Sequence, residues 1–415
     1  MSLMMYRNCF KYFITFRYNR ITLLLILFFI SSSTFSQPSD YIIARAFDCS
    51  NQIDSAINYY SKIIEKQPGD VKIYLARGKD FYLKKLYPEA IDDYTKANSL
   101  NAEIADFSLA QCYAQQNNIN QSIQFLKKHL SSKYKLSQST VRLDPAFNRC
   151  EESPEWKELW ANDWYDKYDS QIGEARFMFN NKDWMGVVNF VNGAVKDDTK
   201  HHELIYFRAK AYYELENYNT AVNEFTKAIE LHHRSFEYYA GRADANIKLG
   251  NKKNAIKDYS EAIELAPDVF SLYLKRARTN LSLGDYDKAK DDASFYLALF
   301  KNDSTALNIS GQIAFSTGKY FDALVFYNKL IKEFPKISRF YISRGETFEK
   351  TGMQPNALKD YNYCLMLEPK NFMAMRKRGQ ILLNREDKKN ACADFLKAMK
   401  GGDFEANNLY LDNCR

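Results

Sequence analysis

The sequence predicts an all-α solenoid of about ten helix-turn-helix repeats, closed by a C-terminal capping helix. Two observations predict it. A 34-residue pattern recurs from about Gln37 to Asp403. Within each copy, apolar residues fall at helical spacing on two successive segments. A fixed period of this length marks a stacked helical array in which each unit buries its face on its neighbours.

The copies start near residues 37, 71, 103, 168, 202, 236, 270, 304, 338 and 372, and are numbered one to ten below. Copy six shows the pattern best. With Phe236 as position 1, it carries Tyr239, Ala243, Gly250, Ala255, Tyr259, Ala262 and Pro267 at positions 4, 8, 15, 20, 24, 27 and 32. Copy two reads Tyr74, Gly78, Phe81, Ala90, Tyr94 and Ala97. Copy nine reads Tyr341, Gly345, Phe348, Gly352, Ala357, Tyr361 and Pro369. Positions 4, 8 and 11 share one face of a first helix, and positions 20, 24 and 27 share one face of a second. Small residues at 8 and 20 let the two helices approach closely. Gly250, Gly284, Gly318 and Gly352 stand where the first helix must stop. Pro68, Pro267, Pro335 and Pro369 close second helices. Copy three is degenerate and displaced by two residues, with Ser122 at position 20.

On these residues the chain resembles the tetratricopeptide repeat family over most of its length. The resemblance implies a right-handed superhelix whose first helices line a concave groove. In that family the groove holds an extended or helical peptide. The implied groove-facing positions are 2, 5, 9, 12 and 13. Here they offer Tyr206, Lys210 and Tyr213, then Asp244, Arg278, Asn308, Gln312 and Phe315, then Arg339, Glu346, Arg376 and Gln380. The mixture fits a peptide: amides for backbone, aromatics for side chains, charges for register. The family's clamp for a C-terminal carboxylate needs Lys at position 5 and Asn at position 9. The pairs here are Leu75/Lys79, Tyr206/Lys210, Leu274/Arg278 and Asn308/Gln312, and none matches.

A second regularity lies in the charges. Six copies carry Arg at position 7: Arg77, Arg208, Arg242, Arg276, Arg344 and Arg378. The same six carry an acid at position 23: Asp93, Glu224, Asp258, Asp292, Asp360 and Asp394. The other four have Ile43, Leu109, Glu174 and Ser310 at position 7, and Tyr59, Phe125, Phe190 and Phe326 at position 23. Removing one partner of a half-buried ion pair costs about 3–5 kcal/mol, whereas an apolar swap of both is near neutral. That asymmetry predicts a structural ion pair between the two helices of one copy.

The 415 residues carry a formal charge of +7, of which Arg7, Lys11, Arg17 and Arg20 supply four, leaving 7 − 4 = +3 for the rest. That remainder is no nucleic-acid footprint. The four basic residues precede an apolar run, Ile21 to Ile30, and then small polar residues. A ten-residue apolar core is short for a membrane span and reads as a secretory signal over 1–36. An uncleaved anchor through residues 21–36 is the competing reading. The Lys-, Asn- and Tyr-rich composition together with this signal resembles exported tetratricopeptide proteins of Gram-negative bacteria. Export to the periplasm or cell envelope would permit disulfides. Cys392 and Cys414 are expected to bridge and pin the terminal helix, while Cys364 reads as a core residue and Cys49, Cys112 and Cys150 stay unassigned.

The domain reading is therefore a signal over 1–36, a short array over 37–130 and a joining segment over 131–167. A long array over 168–403 and a cap over 404–415 follow. The joining segment holds Trp156, Trp160 and Trp164 on one helical face. That stripe reads as packing between the arrays, with an exposed docking face as the alternative.

No HExxH, GxSxG or Walker motif appears. The paired His201–His202 and His232–His233 lie at successive copy boundaries and read as solvated loop residues rather than metal ligands. The expectation is a non-catalytic scaffold without cofactor or metal that binds a protein or peptide, and no nucleic acid. The rival readings are a membrane-tethered envelope assembly factor and a glycan-binding outer-membrane component.

Overall fold

The computed structural model describes residues 38–195 and 201–414. The segment 1–36, read from the sequence as a signal or anchor, lies outside the described residues. Contacts divide the chain into Met1–Ser39 and Asp40–Arg415, and the second unit is an all-α solenoid.

Three helix pairs come first: α1 (Asp40–Cys49) with α2 (Ile53–Lys66), α3 (Val71–Leu83) with α4 (Tyr87–Leu100), and α5 (Asp106–Gln115) with α6 (Ile119–Ser131). A joining segment holds α7 (Gln138–Arg142), one 3₁₀ turn and α8 (Pro154–Trp160). Seven pairs follow. They are α9 (Lys167–Asn180) with α10 (Trp184–Ala194), α11 (His202–Glu214) with α12 (Tyr218–Leu231), and α13 (Phe236–Lys248) with α14 (Lys252–Leu265). Then come α15 (Ser271–Leu283) with α16 (Tyr286–Leu299), and α17 (Ser304–Ser316) with α18 (Tyr320–Glu333). The last are α19 (Ser338–Lys350) with α20 (Gln354–Leu367), and α21 (Phe372–Asn384) with α22 (Lys388–Lys400). Helix α23 (Phe404–Cys414) trails them.

Each pair turns at one residue. Position 15 has a positive φ in all ten copies: Asn51, Lys85, Asn117, Lys182, Glu216, Gly250, Gly284, Gly318, Gly352 and Glu386. Six of these are not glycine, so only four announce themselves in the sequence. The left-handed residue stops the first helix, and in five copies an Asx residue at position 16 then caps the second. Asn118, Asp183, Asn217, Asp285 and Asp387 all cap a backbone N–H this way.

Position 8 faces position 24 of the same copy. A Cβ added at Gly78, Gly311, Gly345 or Gly379 would lie 2.6–2.9 Å from the ring of Tyr94, Tyr327, Tyr361 or Phe395. Copies are stitched at their edges as well. Tyr74, Tyr273 and Tyr341 donate their hydroxyls to the carbonyls of Pro68, Pro267 and Pro335, each closing the copy before.

The Arg at position 7 makes three bonds rather than two. Arg242 donates to both carboxylate oxygens of Asp258 at 3.0 and 2.8 Å and to Thr226 at 3.0 Å. Thr226 belongs to the previous copy, at position 25. Arg77, Arg276, Arg344 and Arg378 grip Asp93, Asp292, Asp360 and Asp394 and reach back to Ser61, Ser260, Asn328 and Asn362. Arg208 sets two nitrogens on Glu224 Oε2 and donates a third bond to Asn192, while Lys227 takes Glu224 Oε1. Each Arg thus ties three helices from two copies. Burial pushes the carboxyls of Asp93, Asp292 and Asp360 above their ordinary range, although the guanidinium pulls them down. Desolvation outweighs pairing at these sites, as expected for half-buried ion pairs.

In the joining segment Trp156 is buried and packs against Phe147, with ring centroids 5.8 Å apart. The indole N–H of Trp164 donates to the Leu159 carbonyl at 2.7 Å. Trp156 and Leu159 belong to the same core as Leu126, Leu130 and Phe147, so this stripe extends the core of copy three.

At the other end Cys392 and Cys414 form a disulfide across a separation of 22 residues. Arg376 adds bonds to Asp403 at 3.0 Å and Glu405 at 2.5 Å. Closing a loop of that length stabilises by about 3 kcal/mol. Reduction with a thiol should therefore lower the urea midpoint and speed amide exchange in α22 and α23 alone. Unchanged exchange there would show that the bridge constrains nothing.

Candidate partner-binding groove

The first helices present positions 5, 9 and 12 away from the second helices, because positions 4, 8 and 11 are used for packing. On α11 that places Tyr206, Lys210 and Tyr213 in one row, and on α13 it places Ala240 and Asp244. These side chains line a concavity of about 260 Å³ together with Glu214, Phe225, Phe236, Glu237 and Gly241. Gly241 forms its floor: a Cβ there would stand 2.5 Å from the Phe225 ring.

Lys210 is the chemically distinct member. Its ammonium sits 3.9 Å from the Phe179 ring centroid and 5.4 Å from that of Tyr206. Burial pulls its pKa below the ordinary lysine value. Among the described residues it makes no ion pair. An aromatic-lined, half-desolvated ammonium is favourably placed for an anion arriving from solution.

The other groove positions divide into two groups. Asp244 accepts from the Tyr259 hydroxyl at 2.6 Å and from Lys275 at 2.7 and 3.0 Å. Glu346 pairs with Lys377 at 3.1 Å, and Arg376 is held by the C-terminal cap. These three charges are spent on neighbouring copies. Arg278, Gln312 and Arg339 are exposed, and Asn308, Phe315 and Gln380 are half-buried. The structure brings Tyr206, Lys210, Tyr213 and Asp244 into one pocket and strings the rest along later copies.

Phe179, Phe225, Phe236, Glu237 and Gly241 were not singled out from the sequence. Gly241 carried a signal, since it falls off positions 8 and 15 where most repeat glycines stand. The histidines are not simply solvated. His129 is buried and accepts from the Leu136 N–H at 3.0 Å. His202 stacks on His232 with centroids 4.6 Å apart and shares a hydrogen bond with the Tyr238 hydroxyl at 2.8 Å. Sequence spacing showed the His pairs as neighbours but not the aromatic pocket around them. Among the described residues no three His, Cys, Asp or Glu side chains converge as a metal site.

Further concavities exist among the described residues. One of about 880 Å³ lies at the joining segment, lined by Arg142, Leu143, Trp156, Trp160, Tyr165 and Phe177 among others. One of about 310 Å³ lies between copies seven and eight, around Ser294, Ser310 and Phe326. It occupies the place that an Arg fills in six other copies.

The family model described as tetratricopeptide repeat matches residues 206–269 and 274–336. The Hsp70-Hsp90 organizing protein 2 of Arabidopsis thaliana is 31% identical over 101 residues, which is 24% of this chain and 17% of that protein. The Hsp70-Hsp90 organizing protein of Triticum aestivum is 28% identical over 101 residues, again 24% of this chain and 17% of that protein. The chain therefore spans about a sixth of the length of the curated relatives it matches. Among solved structures, the C-terminal part of a tetratricopeptide-repeat-containing protein from Cytophaga hutchinsonii aligns with a TM-score of 0.50 at 17% identity, covering 59% of this chain and 99% of that one. At that identity the likeness shows the fold alone.

Proposed function

We infer, from the premise that this chain is a tetratricopeptide-repeat protein at the level of the superfamily, that it is a non-catalytic scaffold whose groove takes an extended peptide. The pocket of copies five and six is the anchor point. The observation that carries this reading is Lys210, an aromatic-lined ammonium that makes no ion pair among the described residues. It favours a peptide that sets a carboxylate beside an apolar side chain: the carboxylate on Lys210, the apolar group between Tyr206, Phe225 and Phe236. Arg278, Asn308 and Gln312 then supply polar contacts to the peptide further along the array. The basic and apolar N-terminal pattern supports action in the cell envelope, after export across the inner membrane. A membrane tether through residues 21–36 remains the alternative, and the N-terminal sequence of the mature protein separates the two.

The test is crosslinking in native cells with a photoreactive residue at Asn308, with and without Lys210→Met. One dominant adduct is expected, and its yield should fall about tenfold in the Lys210 variant, the loss of a single charge-assisted contact. An adduct indifferent to Lys210, or none above background, would remove the groove as the binding site.

A further inference from the structure

The first helix touches a part of the chain more than two hundred residues away. Ile42 and Ala46 of α1 are buried in one cluster with Phe270, against Phe295, Tyr296, Leu299 and Phe300 of copy seven. Arg45 donates to Asp268, at the end of copy six, at 2.9 Å. The same face of α1 that meets copies six and seven would otherwise be solvent-exposed at the end of an array. Copy one thus returns to the array six copies on, and the intervening repeats form a closed loop.

Behind this contact sits an unusual group. Asp80 of α3 is fully buried, and neither carboxylate oxygen has a hydrogen-bond partner. Its charged neighbours are Arg45 and Asp48 from α1 and Lys79 from its own helix, with Tyr60 from α2 nearby. Arg45 also pairs with Asp48, and Lys79 stands 3.8 Å from Asp48. One guanidinium therefore serves both the buried carboxyl pair and Asp268 across the closure.

We propose that the contact of α1 with copies six and seven is a releasable latch that closes the array on itself, governed by the Asp48–Asp80 carboxyl pair through Arg45. Burial, and then the Asp48 carboxylate, push Asp80 up to about 7. Asp80 lies in copy two against copy one, away from copies six and seven, so its charge acts on the latch only through Arg45, which a charged Asp80 attracts. Below about pH 6 Asp80 is neutral, and Arg45 is shared only by Asp48 and Asp268. Above about pH 8 a second anion stands beside Asp48 in a dry site, and the pair draws Arg45 away from Asp268. The closure then keeps the contacts of Tyr41, Ile42 and Ala46. The latch is independent of the groove pocket, whose residues it does not use.

Cys49 makes the test direct. It is exposed, whereas Cys112, Cys150 and Cys364 are buried and Cys392 and Cys414 are bridged. Spin labels on Cys49 and on Lys301→Cys, with Cys9→Ser, report the separation across the closure by pulsed electron paramagnetic resonance. One short, narrow separation is expected at about pH 5.5, with a longer population that grows to at least half by about pH 8.5. Asp80→Asn should hold the short separation at both pH values, and Asp268→Asn should show the longer one at both. The proposal is overturned if the separation is broad at every pH. It is equally overturned if Asp268→Asn leaves the distribution unchanged, or if the pH response survives in Asp80→Asn.

Discussion

Phe395→Ala should cost about 4 kcal/mol of stability, measured by urea denaturation, because the ring is fully buried and its removal leaves a cavity. Its counterpart is Gly379, where an added Cβ would stand 2.6 Å from that ring. Gly379→Leu alone should therefore cost about 3 kcal/mol through overpacking. The two changes are one event seen from opposite sides. Combined, Gly379→Leu and Phe395→Ala exchange a hole for a knob, and the double variant should recover at least half of the summed loss. Non-additivity of that size is expected only between residues in contact. Losses that simply add would show that positions 8 and 24 do not set the distance between the helices of a copy.

Asp258→Ala should cost about 3–4 kcal/mol, since it leaves the Arg242 guanidinium half-buried with only the Thr226 hydroxyl as partner. The chain itself supplies the compensating change. Copy three has Leu109 and Phe125 at these two positions, and Leu109 is buried. Arg242→Leu with Asp258→Phe copies that solution into copy six and should return stability to within about 1 kcal/mol of the native value. Urea melts of the single and double variants decide it. If the double variant is as unstable as Asp258→Ala, the pair contributes more than its desolvation removes, and apolar copies are tolerated for another reason.

Much of this was legible in the sequence because it repeats at a fixed period. The helix pairs follow from apolar spacing, and the Arg–acid partnership follows from residues that change together within a copy. The third bond was harder to see. It runs to position 25 of the previous copy, where Ser, Thr and Asn are ordinary residues for an exposed helix face. The left-handed turn was half visible: four copies mark it with glycine, while Asn51, Lys85, Asn117, Lys182, Glu216 and Glu386 adopt it without a marker. Within the groove, positions 5, 9 and 12 were readable from the helix period. Which charges were already spent was not, since Lys275 on Asp244 and Asp403 on Arg376 depend on how neighbouring copies are offset. The return of α1 onto Phe270 and Phe300 was beyond reach altogether. It depends on small rotations summed over six copies and a joining segment, and no local pattern encodes that sum.

Because each ladder arginine grips its own copy and the one before it, the ladder also acts as a row of rivets under load. Under load a stacked array yields seam by seam rather than all at once. One seam without such a rivet lies between copies seven and eight, where Ser310 stands in the arginine's place and Ser294 waits across a gap of about 310 Å³. Copies eight to ten and the bridged cap would part from the rest as one stiff block. The chain is in that sense a riveted stack, more compliant at each seam where position 7 carries no arginine, before copies three, four and eight.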